Sequence, residues 1–208
     1  MKFYDREQEL ALLKDIERQS YSSATFTVLM GRRRVGKTAL IMRSLQSVSH
    51  AYLFVSKDSE AMLCRKFQEV LETQLDMHIY GTITRFKDLF EMIMRESTLR
   101  PISIVLDEFQ NLQKINSAIF SEMQDIWDRY HSQSHINLIT SGSITSLMKS
   151  IFEDENQPLY GRPTHKFILR PFTIEVQNQI LAEHSPNSTN EDLLCLYMIT
   201  GGVAKYVE

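Results

Sequence analysis

Apolar positions change their period repeatedly along the chain, and each change marks an element. Leu10, Leu13 and Ile16 recur at helical spacing, and Asp5 followed by Gln8 three residues later resembles a capping box, so a helix is expected from about residue 5. The polar connector Tyr21-Ser22-Ser23 leads into the β-branched, apolar run Thr25-Phe26-Thr27-Val28-Leu29-Met30, a strand. A helical pattern at Leu40, Ile41, Leu45 and Val48 follows. Residues 51–56 are nearly all apolar, as suits a second strand in a sheet covered on both faces. Two helices come next, one over about 59–75 with Leu63, Phe67, Val70 and Leu71 on one face, the other through Phe86, Leu89, Phe90, Ile93 and Met94 until Pro101 stops it. Residues 102–108 form a third strand that ends in two carboxylates, and Phe120, Met123, Trp127 and Tyr130 make a core-facing helical stripe. A fourth strand over 136–140, a short helix over about 145–152, a polar turn over 153–158 and a fifth strand over 165–170 complete an α/β alternation. Beyond Thr173 only helix signals remain: Ile174, Ile180 and Leu181, then Leu193, Leu194, Tyr197 and Met198, a break at Gly201-Gly202, and a new start at Val203. That last pattern is still open at residue 208, so these residues are expected to be a fragment of something longer.

Composition narrows the class. A chain of 208 residues can bury a proper core and suits one ordinary domain with a small appendage. The formal net charge of −3 and a pI near 6.1 argue against a chain that is mainly a nucleic-acid clamp. The two cysteines, Cys64 and Cys195, both fall in apolar helical patterns and read as buried thiols, not as a disulfide or a metal site. No apolar run approaches membrane-spanning length, and the opening Met1-Lys2-Phe3-Tyr4-Asp5 is not a signal peptide. A soluble, cytoplasmic protein without a membrane partner is expected.

The chemistry centres on Gly31-Arg32-Arg33-Arg34-Val35-Gly36-Lys37-Thr38, which fits the phosphate-binding pattern G-x-x-x-x-G-K-[ST] and lies between a strand and a helix as that pattern requires. Glycines at both ends let the backbone approach a polyphosphate, and Lys37 is placed to reach the β- and γ-phosphates. The Thr38 hydroxyl suits Mg²⁺, and the helix through Thr38 and Ala39 points its positive end at the same phosphates. Asp107, at the end of an apolar strand where open parallel sheets bind ligands, fits the acid that holds Mg²⁺. Glu108, pointing differently, fits the base that orients an attacking water. After the fourth strand, the hydroxyls of Ser141 and Ser143 either contact the γ-phosphate and the water or merely form a serine-glycine turn. Arg162, just before the fifth strand, is either a finger aimed at a phosphate of this or a neighbouring subunit, or an ordinary surface arginine.

Taken together, Phe3-Tyr4-Asp5-Arg6-Glu7-Gln8-Glu9-Leu10, the glycine loop, Leu106-Asp107-Glu108-Phe109-Gln110, Ser141-Gly142-Ser143, Leu159-Tyr160-Gly161-Arg162 and Gly201-Gly202 make the whole chain resemble the archaeal-type ATPase family, in the AAA+/STAND group of P-loop ATPases. The resemblance implies a parallel five-stranded sheet in the order 5-1-4-3-2 over residues 1–172, followed by a partial helical lid over 173–208. It implies ATP with Mg²⁺, a first-sensor role for Ser141 or Ser143, and a finger-like role for Arg162. Two positions depart from the family pattern: Asp5 stands where glycine is usual, and Ala204 where proline is frequent.

The expected function is therefore an ATPase that binds ATP and ADP, in a single chain or a homo-oligomer, and drives a DNA or protein partner through a further C-terminal domain. The alternative is a nucleotide-holding switch of low turnover. A small-molecule phosphotransferase shares the loop but needs an acceptor pocket, and the Asp107-Glu108 pair and the helical tail speak against it. The basic spot Arg32, Arg33 and Arg34 has a simpler use beside the nucleotide or at a subunit edge than on DNA.

Overall fold

The computed structural model of the chain describes residues 3–207. In chain order its elements are α1 (Glu7–Ser20), β1 (Thr25–Gly31), α2 (Lys37–Ser44), β2 (His50–Phe54), α3 (Glu60–Leu75), α4 (Phe86–Leu99), β3 (Ile102–Asp107), a 3₁₀ turn (Phe109–Asn111), α5 (Leu112–Ile115), α6 (Ile119–Tyr130), β4 (Ile136–Gly142), α7 (Thr145–Glu153), β5 (His165–Leu169), α8 (Ile174–His184), α9 (Asn190–Thr200) and α10 (Ala204–Val207). The five strands form one parallel sheet in the order β2-β3-β4-β1-β5, the predicted order read from its other edge. Among the described residues, no helix is long and apolar enough to cross a membrane.

Every residue of β1, β3 and β4 is buried, because helices cover both faces of the middle of the sheet. Side chains alternate between two cores. Phe26, Val28 and Met30 join the larger one with residues of α3, α4, α6 and α7, whereas Leu29 joins the smaller one with Leu13 of α1 and Leu40 and Ile41 of α2. Phe109, on the 3₁₀ turn, stacks on Phe120 and Phe152 with ring centroids 5.2 and 5.4 Å away, and so ties the end of β3 to α6 and α7.

Four local expectations are corrected. The first helix starts at Glu7, with Arg6 at the cap and no side-chain cap bond. Asp5 and Arg6 instead take left-handed conformations, φ 53° and 92°, which bend the chain sharply where a glycine would do so at less cost. The second strand is not covered on both faces. It is an edge strand, with Phe54 52% exposed and the Tyr52 amide donating to the Gln74 side chain of α3 at 3.2 Å instead of to a further strand. The helix after the glycine loop ends at Ser44, which leaves Val48 outside it. Finally, Cys64 is buried but Cys195 is exposed on α9.

Candidate nucleotide site

The parallel register brings the C-terminal ends of β1, β3 and β4 side by side, with Met30 opposite Gly142 and Asp107 opposite Ser141. The glycine loop therefore opens next to the two carboxylates. Gly36 caps α2 with φ 102°, and Arg34 within the loop is also left-handed, φ 67°. Lys37 is buried. Its ammonium folds back over the loop, donating to the carbonyls of Gly31 at 2.9 Å and Arg32 at 3.2 Å. Burial holds this amine below its usual pKa, while Asp107 and Glu108 pull the other way and favour the charged form.

The Asp107 carboxylate is fully engaged. Oδ1 accepts from the Ser141 hydroxyl and, at 2.9 Å, from the Glu108 amide; Oδ2 accepts from the Thr38 hydroxyl at 3.2 Å and from the Tyr52 phenol. Burial, and then the bond to Asp107, push the Tyr52 phenol well above its ordinary range, so it stays a donor at any physiological pH. Four donors on one carboxylate leave a metal ion two routes to it: through a water, or after one of the hydroxyls turns away.

Glu108 also carries a left-handed backbone, φ 55°, which turns its side chain away from that of Asp107. Its carboxylate accepts the Ser143 hydroxyl on both oxygens at 2.9 Å and the Gln110 amide on Oε2. The two serines thus separate. Ser141 belongs to β4 rather than to a turn and lies beneath the site with its hydroxyl on Asp107, whereas Ser143 reaches the open cleft.

Lys37, Thr38, Asp107, Glu108 and Ser143 line a single cleft of about 350 Å³, whose rim is made by Arg33 and Arg34 of the loop and Lys205 of α10. Gly36, Ala39 and Ala204 are shared between this cleft and a second cavity of about 680 Å³, which is mostly apolar and is walled by Tyr4, Val35, Phe172, Ile180 and Leu196. Of the loop residues expected to hold phosphate, Arg32 points to solvent and Val35 packs into the smaller core. No cluster of three or more His, Cys, Asp or Glu side chains suited to a metal is present among the described residues. The donor set instead fits a hard cation that takes one carboxylate and one hydroxyl and completes its shell with water and phosphate oxygens.

Arg162 stands apart. Thr27 pairs with His165 and Gly31 with Leu169, so Arg162 precedes the strand end opposite the glycine loop, roughly 13 Å of strand away from it. There it donates to Asp128 at 2.9 and 3.3 Å. Within one chain the structure does not bring it to the cleft, which corrects the expectation of a finger in the same subunit.

Three site residues were given no role by the sequence: Tyr52 was one more apolar strand residue, Gln110 the last position of a motif quoted for the family resemblance, and Tyr206 part of an incomplete helix. Tyr206 stacks under the Arg34 guanidinium at 5.6 Å and accepts from it at 3.2 Å, while the Lys205 amide donates to the Arg34 carbonyl at 3.2 Å.

Residues 3–208 match a family described as an ATPase domain predominantly from Archaea. The chain belongs to that family. As an archaeal-type ATPase domain it is similar to the protein MJECL04 of Methanocaldococcus jannaschii, at 30% identity over 206 residues, which are 99% of this chain and 43% of that protein. The chain thus spans less than half the length of that relative. Among solved structures it resembles the Walker-type ATPase of Pyrococcus abyssi, with TM-score 0.68 and 16% identity over 99% of this chain and 65% of the other. It also resembles the ORC2 protein of Aeropyrum pernix in its ADPNP–ADP complexes, with TM-score 0.69 and 14% identity over 99% and 61% of the two chains. At those identities the likeness establishes the fold alone, the five-stranded parallel sheet of P-loop proteins flanked by helices.

Proposed function

We propose that this domain binds ATP with Mg²⁺ and hydrolyses it. The observation that carries the reading is the single cleft in which Lys37, Thr38, Asp107, Glu108 and Ser143 meet, bordered through Gly36, Ala39 and Ala204 by an apolar cavity large enough for a nucleoside. The triphosphate lies along the glycine loop, and the base enters the apolar cavity between the Tyr4 segment and α8. Lys37 leaves the Gly31 and Arg32 carbonyls for the phosphate oxygens. Thr38 and Asp107 would hold Mg²⁺, which when bound would supply positive charge to offset that of the phosphates. Glu108 orients a water for in-line attack on the γ-phosphorus and draws off its proton as the bond to the β,γ-bridging oxygen breaks and ADP leaves, while Ser143 senses the γ-phosphate. Once turned to the phosphates, the ammonium and the loop amides face the oxygens on which charge develops.

The test is thermal stability and turnover with Mg²⁺-ATP. Lys37→Ala is expected to remove the ATP-induced rise in Tm, and Glu108→Gln to keep that rise while stopping turnover. Hydrolysis by both variants at the parent rate would defeat the proposal.

A second reading, a switch that holds nucleotide and turns over slowly by itself, is favoured by one observation: Arg162 is paired with Asp128 at the far end of the sheet. A steep rise of ATPase rate per molecule with protein concentration would argue for assembly, with the charge-stabilising arginine supplied by a second copy, whereas flat, near-zero turnover with tight binding would argue for the switch. We further propose that residues 1–172 act as the catalytic core and 173–208 as a lid, which passes the nucleotide state to a DNA or protein partner in the longer protein.

A further inference from the structure

We infer that Gln110 is a positioning residue that aims the carboxylate of Glu108; this rests on the reading of Glu108 as the base. Gln110 is 2% exposed, and its Nε2 donates to Glu108 Oε2. Its Oε1 is buried with no hydrogen-bond partner. A buried amide with one end unsatisfied lowers stability, and an apolar side chain of similar size would fill the space without that cost. The amide's orientation is nonetheless dictated, because with oxygen and nitrogen exchanged its carbonyl would face the Glu108 carboxylate.

The surroundings hold Gln110 in place. A Cβ at residue 142 would sit 2.6 Å from Gln110 Oε1 and 2.5 Å from the Met148 side chain, so the glycine on β4 leaves the space that the Gln110 amide and Met148 occupy. Phe109, its neighbour on the 3₁₀ turn, is locked between two rings of the larger core. Ser143, the other donor to Glu108, is only half-buried and faces the cleft, where it is free to turn to a phosphate. When Ser143 turns, Gln110 is the donor that keeps Glu108 from swinging out of line. A rigid, buried donor therefore fixes the direction of the base, and a mobile one responds to the ligand.

Steady-state ATPase kinetics on Gln110→Leu and Gln110→Met test this. Both remove the donor at nearly constant volume. We expect kcat to fall by about tenfold or more, the cost of misaligning a general base, with KM and the ATP-induced Tm shift within about twofold of the parent. Tm of the free protein should hold or rise, because the unsatisfied Oε1 is gone. Either variant, folded and binding ATP, with kcat within twofold of the parent while Glu108→Gln is inactive would overturn the inference. Failure of both to fold would also overturn it, making Gln110 a structural residue. Full turnover in Glu108→Gln would instead sink the assignment of the base, and this inference with it.

Discussion

The central strands and the three C-terminal helices are both rich in apolar residues, but they place them differently. In β1, β3 and β4 every position is buried. In α9 only Thr200 is, and Leu194, Met198 and Ile199 are 57, 74 and 82% exposed. The strands are gripped by two cores, whereas α8–α10 are tethered by separate contacts: the Tyr4 hydroxyl to Glu183 and His184, Gln177 to the Phe172 carbonyl, and Arg34 to Tyr206. Contacts of this kind are each worth only about 1 kcal/mol. The cleft thus has a floor, Lys37 and Asp107, set by dense packing, and a rim, α10, set by a few weak bonds. A ligand that touches both can move the rim without disturbing the floor.

The largest contrast should appear in thiol reactivity. Cys195 is exposed, while Cys64 is buried in α3 with its thiol pushed up to about 12, chiefly by burial. Native-state alkylation at mild pH should modify Cys195 at once. Cys64 should react at least about a thousandfold more slowly, since it waits for an opening that approaches global unfolding, about 5–15 kcal/mol for a domain. Similar rates at the two sites would erase the distinction between core and rim.

Next in size is Phe109→Ala. It empties the ring site between Phe120 and Phe152 and is expected to cost about 3–5 kcal/mol, read as a fall in denaturant midpoint at constant m-value. Because this ring also supports Glu108 and Gln110 through the chain, turnover should fall along with stability. A loss under about 1 kcal/mol would mean that the larger core can collapse into the gap.

The two regions were also unequally legible in the sequence. The strands could be read because short β-branched runs have no other stable use, and the grouping of Lys37, Thr38 and Asp107 because the glycine loop and the acidic strand end are each tied to one end of a parallel sheet. Strand order came from family resemblance, as no periodicity says which strands are neighbours. The open face of β2 escaped for the same reason: an edge strand and a central one share one pattern. Tyr52 and Gln110 were missed because a buried hydroxyl or amide gives no sign of which carboxylate it faces. Cys195 was misplaced because α9 is apolar nearly all round, so spacing could not tell its inward side from its outward one. The place of Arg162 stayed open because chain position before a strand does not say which end of the sheet that is.

A smaller effect is expected at the tethers. Tyr4→Phe removes the hydroxyl bonds to Glu183, 2.8 Å, and His184, 3.1 Å, at a cost of about 1 kcal/mol. The loss should show as faster amide exchange in α8, with β1, β3 and β4 unchanged. Equal acceleration in the strands would show that the C-terminal helices unfold together with the sheet and are not a separate layer of stability.

The smallest effect tests the rim most directly. Met198 is 74% exposed on α9, and lysine has nearly the helix propensity of methionine, so Met198→Lys changes neither backbone preference nor any buried contact. Its effect on unfolding free energy should stay within about 0.5 kcal/mol, the range of ordinary surface substitutions. The same change at a position such as Met94, buried in the larger core, would bury an unpaired ammonium and is expected to prevent folding. If Met198→Lys instead costs several kcal/mol, the outer side of α9 is covered in solution. The C-terminal helices would then be packed as firmly as the strands, and the contrast between a fixed floor and a loosely held rim would be gone.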